Sequence, residues 1–231
     1  LLSYKMDALD YEEFLYQLYP GIEDFENTNL LLWYCTQMYR YGDFKTINEL
    51  VAPKYENLKS TRERNPDEYL HLSSYYSIAI MSVEKNYEKA NFILDQASSF
   101  QLKNELSNFH ITLAYTQINY LNWLNTQSQD AIIKAESWSQ QLEDQLGKIS
   151  IYHKAQYREL NSQLRLARRD TSDAIVETAK ALELYQELQF TKFEKEQVRY
   201  LLAELEMNYR RFLKSYLPDS LLSWANFPNN S

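Results

Sequence analysis

Glycine and proline are scarce in this chain, at 3 and 5 of 231 residues. Tight turns and strand crossings draw on both, so the shortage argues against a β-rich or α/β fold. The glycines stand far apart, at 21, 42 and 147, and cannot build a phosphate-cradling loop. The single cysteine, Cys35, excludes an intrachain disulfide and predicts a reducing, cytoplasmic setting. It sits in Leu30-Leu31-Leu32-Trp33-Tyr34-Cys35, where a buried, inert thiol is expected rather than a nucleophile. The three histidines, His71, His110 and His153, fall on separate predicted helices without metal-ligand spacing. Carboxylates such as Glu204 and Glu206 read as solvated charges. No enzyme activity, cofactor or metal is expected. A basic surplus is also missing: the net charge is −8, the wrong sign for direct contact with nucleic acid. No apolar run approaches the ~20 residues that cross a bilayer, so no membrane contact is expected. The opening Leu1-Leu2-Ser3-Tyr4-Lys5-Met6-Asp7 has neither the basic start nor the apolar centre of a secretion signal. Its lack of an initial Met gives the expectation of a piece of a longer protein.

What is present is apolar area and a spaced echo. Hydrophobic residues make up 45%, enough for a large core, and 20 residues are Tyr, whose ring and hydroxyl suit half-buried positions. Four short polar turns recur: Gly42-Asp43-Phe44-Lys45-Thr46-Ile47, Lys85-Asn86-Tyr87-Glu88-Lys89-Ala90, Gln127-Ser128-Gln129-Asp130-Ala131 and Asp170-Thr171-Ser172-Asp173-Ala174. Their aligned apolar positions, Ile47, Ala90, Ala131 and Ala174, lie 43, 41 and 43 residues apart. A period of this size predicts stacked helical hairpins, because one hairpin cannot bury its own apolar face.

About ten helices are predicted from periodicity and caps. They cover roughly 10–19, 24–41, 44–63 (broken at Pro53), 67–84, 87–100, 104–125, 129–147, 150–169, 172–189 and 192–215. The fold class is all-α: a degenerate, tetratricopeptide-like right-handed solenoid of about five hairpins. Residues 1–20 are expected to lead from a missing domain, 21–216 to form the repeat domain, and the apolar tail 217–231 to cap the last repeat.

Two stripes suggest binding on the concave face. On the sixth helix, Asn108, Thr112, Tyr115, Asn119 and Asn122 share one side. Asparagine donates and accepts at once, so Asn119 and Asn122, flanked by Tyr115 and Trp123, suit the backbone of an extended ligand. On the eighth helix, Lys154, Arg158, Asn161, Arg165 and Arg168 form a basic stripe suited to a carboxylate. Two readings of it stay open: a ligand face, or a solvated face matched to acids of the ninth helix. The tenth helix carries a polar stripe of Gln197, Tyr200, Glu204, Asn208 and Arg211. Tyr69 and Tyr75 fit a core, while Tyr76, with Ser73 and Ser77, is placed on the concave face.

The stretch Met6-Asp7-Ala8-Leu9-Asp10-Tyr11-Glu12-Glu13-Phe14-Leu15-Tyr16 resembles the segment that follows the helix-turn-helix in Rgg-type bacterial transcription regulators. The rest of the chain resembles their C-terminal domain in length, acidity, Tyr content and degenerate repeat. These proteins group with the peptide-pheromone receptors PlcR, Rap, NprR and ComR. The resemblance implies a cytoplasmic quorum-sensing homodimer whose concave groove binds a short signalling peptide and switches an attached DNA-binding domain. It implies groove contacts from Asn119, Asn122, Arg158, Asn161, Arg165, Tyr200 and Asn208; Tyr76 and Tyr115 complete the candidate set. The helix-turn-helix itself is absent from this sequence. A protein–protein adaptor without a peptide pheromone is the alternative.

Overall fold

The fold comes from a computed structural model, which describes residues 28–99 and 105–187. The expected first and tenth helices, with Tyr200, Asn208 and the 217–231 tail, lie outside the described residues. The described residues are all-α, without a strand. Their helices are α1 (Thr28–Tyr41), α2 (Phe44–Val51), α3 (Tyr55–Thr61), α4 (Pro66–Val83), α5 (Tyr87–Ser98), α6 (Glu105–Thr126), α7 (Gln129–Gln145), α8 (Ile151–Ala167) and α9 (Thr171–Glu187). No helix among the described residues is long and apolar enough to cross a membrane. Pro53 breaks the predicted third helix as expected: Ala52–Lys54 tightens into a 3₁₀ turn between α2 and α3.

The described residues fall into two compact units, one up to Ile149 and one from Ser150 onward. The division falls where Leu146–Lys148 winds into a 3₁₀ turn and Ile149 is extended (φ −111°, ψ 164°).

In the first unit α4 is the central element, packed against α1, α2, α3, α5 and α6. Every residue from Leu72 to Met81 is buried. Serines are tolerated there because they bond back along the helix. Ser74 Oγ donates to the Leu70 carbonyl at 2.8 Å, and Ser77 Oγ donates to that of Ser73 at 2.7 Å. Ser73 and Ser77, expected beside a groove, are therefore core residues that let neighbouring helices approach closely. α6 packs against α4, α5 and α7, with Phe109, Leu113, Ala114 and Ile118 buried. In the second unit α8 and α9 pair through Ala155, Leu160, Leu164, Ala174, Ile175 and Leu182. Ser162 Oγ bridges to Thr178 Oγ1 at 2.7 Å across this pair.

The four echoed turns form one recurring joint. Gly42, Lys85, Gln127 and Arg169 have φ of 71°, 56°, 55° and 62°, in the left-handed region. Each directly precedes a residue at the start of the next helix: Asp43, Asn86, Ser128 or Asp170. At the first and last joints the closing bonds match. The Gly42 N–H donates to Tyr39 O at 3.1 Å and Asp43 N–H to Met38 O at 2.9 Å; Arg169 N–H donates to Leu166 O and Asp170 N–H to Arg165 O, each at 2.9 Å. These paired bonds satisfy the orphan carbonyls of the helix that ends. At the first two joints the helix that begins is capped by a side chain: Asp43 Oδ1 accepts from Thr46 N–H and Asn86 Oδ1 from Lys89 N–H, both at 3.0 Å. Four places after the cap lie Ile47, Ala90, Ile132 and Ala174, all buried. The structure thus advances the third aligned position from Ala131 to Ile132 and evens the repeat.

Candidate functional site

The stripe expected on α6 is covered for most of its length. Thr112, Tyr115 and Asn119 are buried, because α6 is packed by three helices rather than one. Asn119 is 1% exposed and engages both ends of its amide internally. Its Nδ2 donates to the Tyr115 carbonyl at 2.8 Å, and its Oδ1 accepts from the Tyr87 hydroxyl at 3.0 Å. The Tyr115 hydroxyl donates to Asp95 Oδ1 at 2.6 Å, and its ring lies flat on Trp138, with centroids 4.4 Å apart and planes at 8°. Burial, together with the hydrogen bond that the hydroxyl donates to Asp95, raises the pKa of that phenol. Tyr76 is buried too, with its ring 5.1 Å from that of Tyr55. Burial raises its pKa, while Lys89 acts in the opposite direction.

Asn122 differs. It is half-buried, one place from Trp123, whose ring stacks on Tyr120 at 5.8 Å and 27°. The C-terminal part of α6, from Tyr120 to Trp123, is where the half-buried polar and aromatic side chains of the candidate stripe gather.

On α8 the stripe divides. Arg158 Nη1 meets Glu177 Oε2 of α9 at 2.8 Å, and its guanidinium carbon stands 5.1 Å from the Tyr157 ring centre. Lys180 Nζ reaches the other Glu177 oxygen at 2.7 Å. Burial pushes the Glu177 carboxyl up, but hydrogen bonds from Lys180, Arg158 and Asn161 outweigh it and hold the pKa below the ordinary 4.5. Arg158 and Asn161 therefore follow the second of the two readings of this stripe, in which it is matched to acids of the next helix. Arg165 is exposed, near the C-terminal end of α8.

Sequence reasoning missed a polar and aromatic seam across α1, α4 and α6. The Tyr39 hydroxyl of α1 donates to Gln117 Oε1 of α6 at 2.7 Å, and its ring lies 5.1 Å from Tyr75 of α4. Thr36 Oγ1 is 3.4 Å from the Tyr75 hydroxyl. Tyr75 meets His110 of α6 edge-on at 5.9 Å, and His110 lies 4.3 Å from His71 of α4, ring centre to ring centre. Ser107 Oγ donates to Asp67 Oδ1 at 2.6 Å and lies 3.4 Å from His71 Nε2. Serine, histidine and aspartate thus come together, but Ser107 is fully buried and directs its proton to the carboxylate. That bond ties α6 to α4. The only advance signal was the repeat: Asp67 and Ser107 lie 40 residues apart in sequence.

No family model, curated protein or solved structure matches this chain.

Among the described residues no cluster of three or more His, Cys, Asp or Glu side chains could hold a metal ion. Burial pushes the Cys35 thiol up to about 12, against a smaller opposing effect of Lys54, so at neutral pH it is protonated and unreactive.

Proposed function

We propose that the chain is the sensor domain of an Rgg-type bacterial transcription regulator. It binds a short signalling peptide on the concave face of a tetratricopeptide-like right-handed solenoid of about five hairpins. It acts in the cytoplasm as a homodimer and switches a DNA-binding domain that precedes it, without catalysis, cofactor or membrane contact. The observation that carries this reading is the recurring joint. Four left-handed residues, each followed by a helix start, set hairpins at an even spacing. Each leading helix of the first unit packs on the next leading helix, α1 on α4 and α4 on α6, and also on its own partner. Solenoids built this way bind along the row of leading helices, and that row carries Tyr39, Gln117, Tyr120, Asn122 and Trp123, all half-buried.

Asn122 and Arg165 are the members of the original set assigned to direct ligand contact. Tyr76, Tyr115, Asn119, Arg158 and Asn161 are assigned to shaping the helices that bear the groove, and Tyr200 and Asn208 to the groove by resemblance alone. Calorimetric titration with short synthetic peptides, above all those encoded beside the gene, tests this. Binding at micromolar concentration or tighter, weakened at least ~10-fold by Asn122→Ala and by Arg165→Ala, is the expected result. Saturable binding that neither substitution changes overturns the groove, and no binding to any peptide overturns the receptor. The adaptor reading draws on one observation: Phe92 of α5 and Ile133 of α7 are 59% and 54% exposed on the partner helices.

A further inference from the structure

Of the leading helices in the first unit, α4 packs on both α1 and α6, while α1 and α6 share no comparable packing. Side chains join them instead. The Tyr39 hydroxyl of α1 donates to Gln117 Oε1 of α6 at 2.7 Å, across 78 residues of sequence. The Tyr39 ring lies 5.1 Å from that of Tyr75 on α4, and Thr36 Oγ1 lies 3.4 Å from the Tyr75 hydroxyl. Tyr75 is buried, like every residue of α4 from Leu72 to Met81, so this stretch of α4 offers a ligand no exposed side chain. We propose that the Tyr39–Gln117 bond is an autoinhibitory strap: it closes the ligand face over α4, and a peptide gains that face by breaking it. The proposal rests on the peptide-receptor reading and adds to it how that site is regulated.

The strap stands at the edge of an open surface. Gln117, Tyr120, Leu121 and Leu124 follow the i, i+3, i+4, i+7 spacing and so share one side of α6. The first three are half-buried and Leu124 is 45% exposed, so cover over this side increases toward Gln117. The bond also differs from those of the core. Asn119 is 1% exposed and holds its partners away from water, whereas Tyr39 and Gln117 are both half-buried. Water or a ligand amide can therefore compete for the strap, which lowers its net worth. A peptide backbone N–H can replace the Tyr39 hydroxyl on Gln117 Oε1, and the Tyr75 ring below offers apolar area to a side chain. A closed strap weakens apparent affinity in proportion to the fraction of molecules it holds shut. A peptide opens it only to the extent that it binds the open form better.

Tyr39→Phe tests the strap, because it removes the donor and keeps the ring that packs on Tyr75. The unmodified protein and the variant are titrated by calorimetry with the same short synthetic peptides, those encoded beside the gene, and thermal unfolding verifies that the variant is folded. The expected result is that Tyr39→Phe binds ~2–10-fold tighter, the effect of losing one half-exposed hydrogen bond from the closed form. A bond that merely braces the groove predicts the opposite sign. A peptide that binds the variant alone supports the strap as well, since it shows a face that the bond had closed. Binding by the unmodified protein that is equal or weaker in Tyr39→Phe overturns the strap and leaves the receptor reading standing. Binding by neither protein overturns the receptor reading, and the strap with it.

Discussion

Gly42, Lys85, Gln127 and Arg169 occupy one backbone state with four different side chains. A left-handed residue with a Cβ carries a cost of ~1–2 kcal/mol that glycine avoids. Gly42→Ala is therefore expected to destabilise the protein by about 1 kcal/mol, although nothing lies within 4 Å of the added carbon. Arg169→Gly is expected to stabilise it by up to about 1 kcal/mol, less the entropy that glycine adds to the unfolded chain. Urea unfolding of both variants checks the two signs. Glu177 gives a third residue-level prediction. Glu177→Gln leaves Arg158 and Lys180 facing a neutral amide and should cost about 1–3 kcal/mol. Because the folded pKa is held below 4.5, the stability from this carboxylate is present above pH 4.5 and is lost as pH falls through the folded value. A urea series from neutral to acid pH should show that loss in the wild-type protein and not in Glu177→Gln.

At the scale of the element, the hairpin starts were legible because Asp43, Asn86 and Asp170 are residues that cap helices, and caps are local chemistry. Asn86→Ala is expected to cost ~1 kcal/mol by freeing the Lys89 N–H, measured by the same unfolding assay. The left-handed joints at Lys85, Gln127 and Arg169 were not legible as such, since none is glycine or asparagine. The α6 stripe shows a second limit. A polar row at helical spacing looks like an open face, but how many neighbours a helix has is not written in its own period. With α4, α5 and α7 around it, α6 buries Thr112, Tyr115 and Asn119 and satisfies them internally. Asn119→Ala should therefore destabilise the fold by about 1–3 kcal/mol, because it leaves the Tyr87 hydroxyl without that acceptor. An unfolding midpoint unchanged by this substitution would contradict the structural role given to Asn119.

At the scale of the whole molecule, the all-α class and the repeat spacing were legible because they rest on composition and on recurring caps. The pairings that the repeat creates were not. His71 with His110 and Asp67 with Ser107 become neighbours only when successive hairpins stack in register. In the proposed function an extended peptide lies along the leading helices of these hairpins. Hydrogen exchange of the chain with and without a bound peptide tests it most directly, since each helix reports separately. Added protection is expected to concentrate in the C-terminal half of α6 around Asn122, with α5 and α7 little changed. Protection centred instead on Phe92 of α5 and Ile133 of α7 would contradict it and place the ligand on the opposite helices.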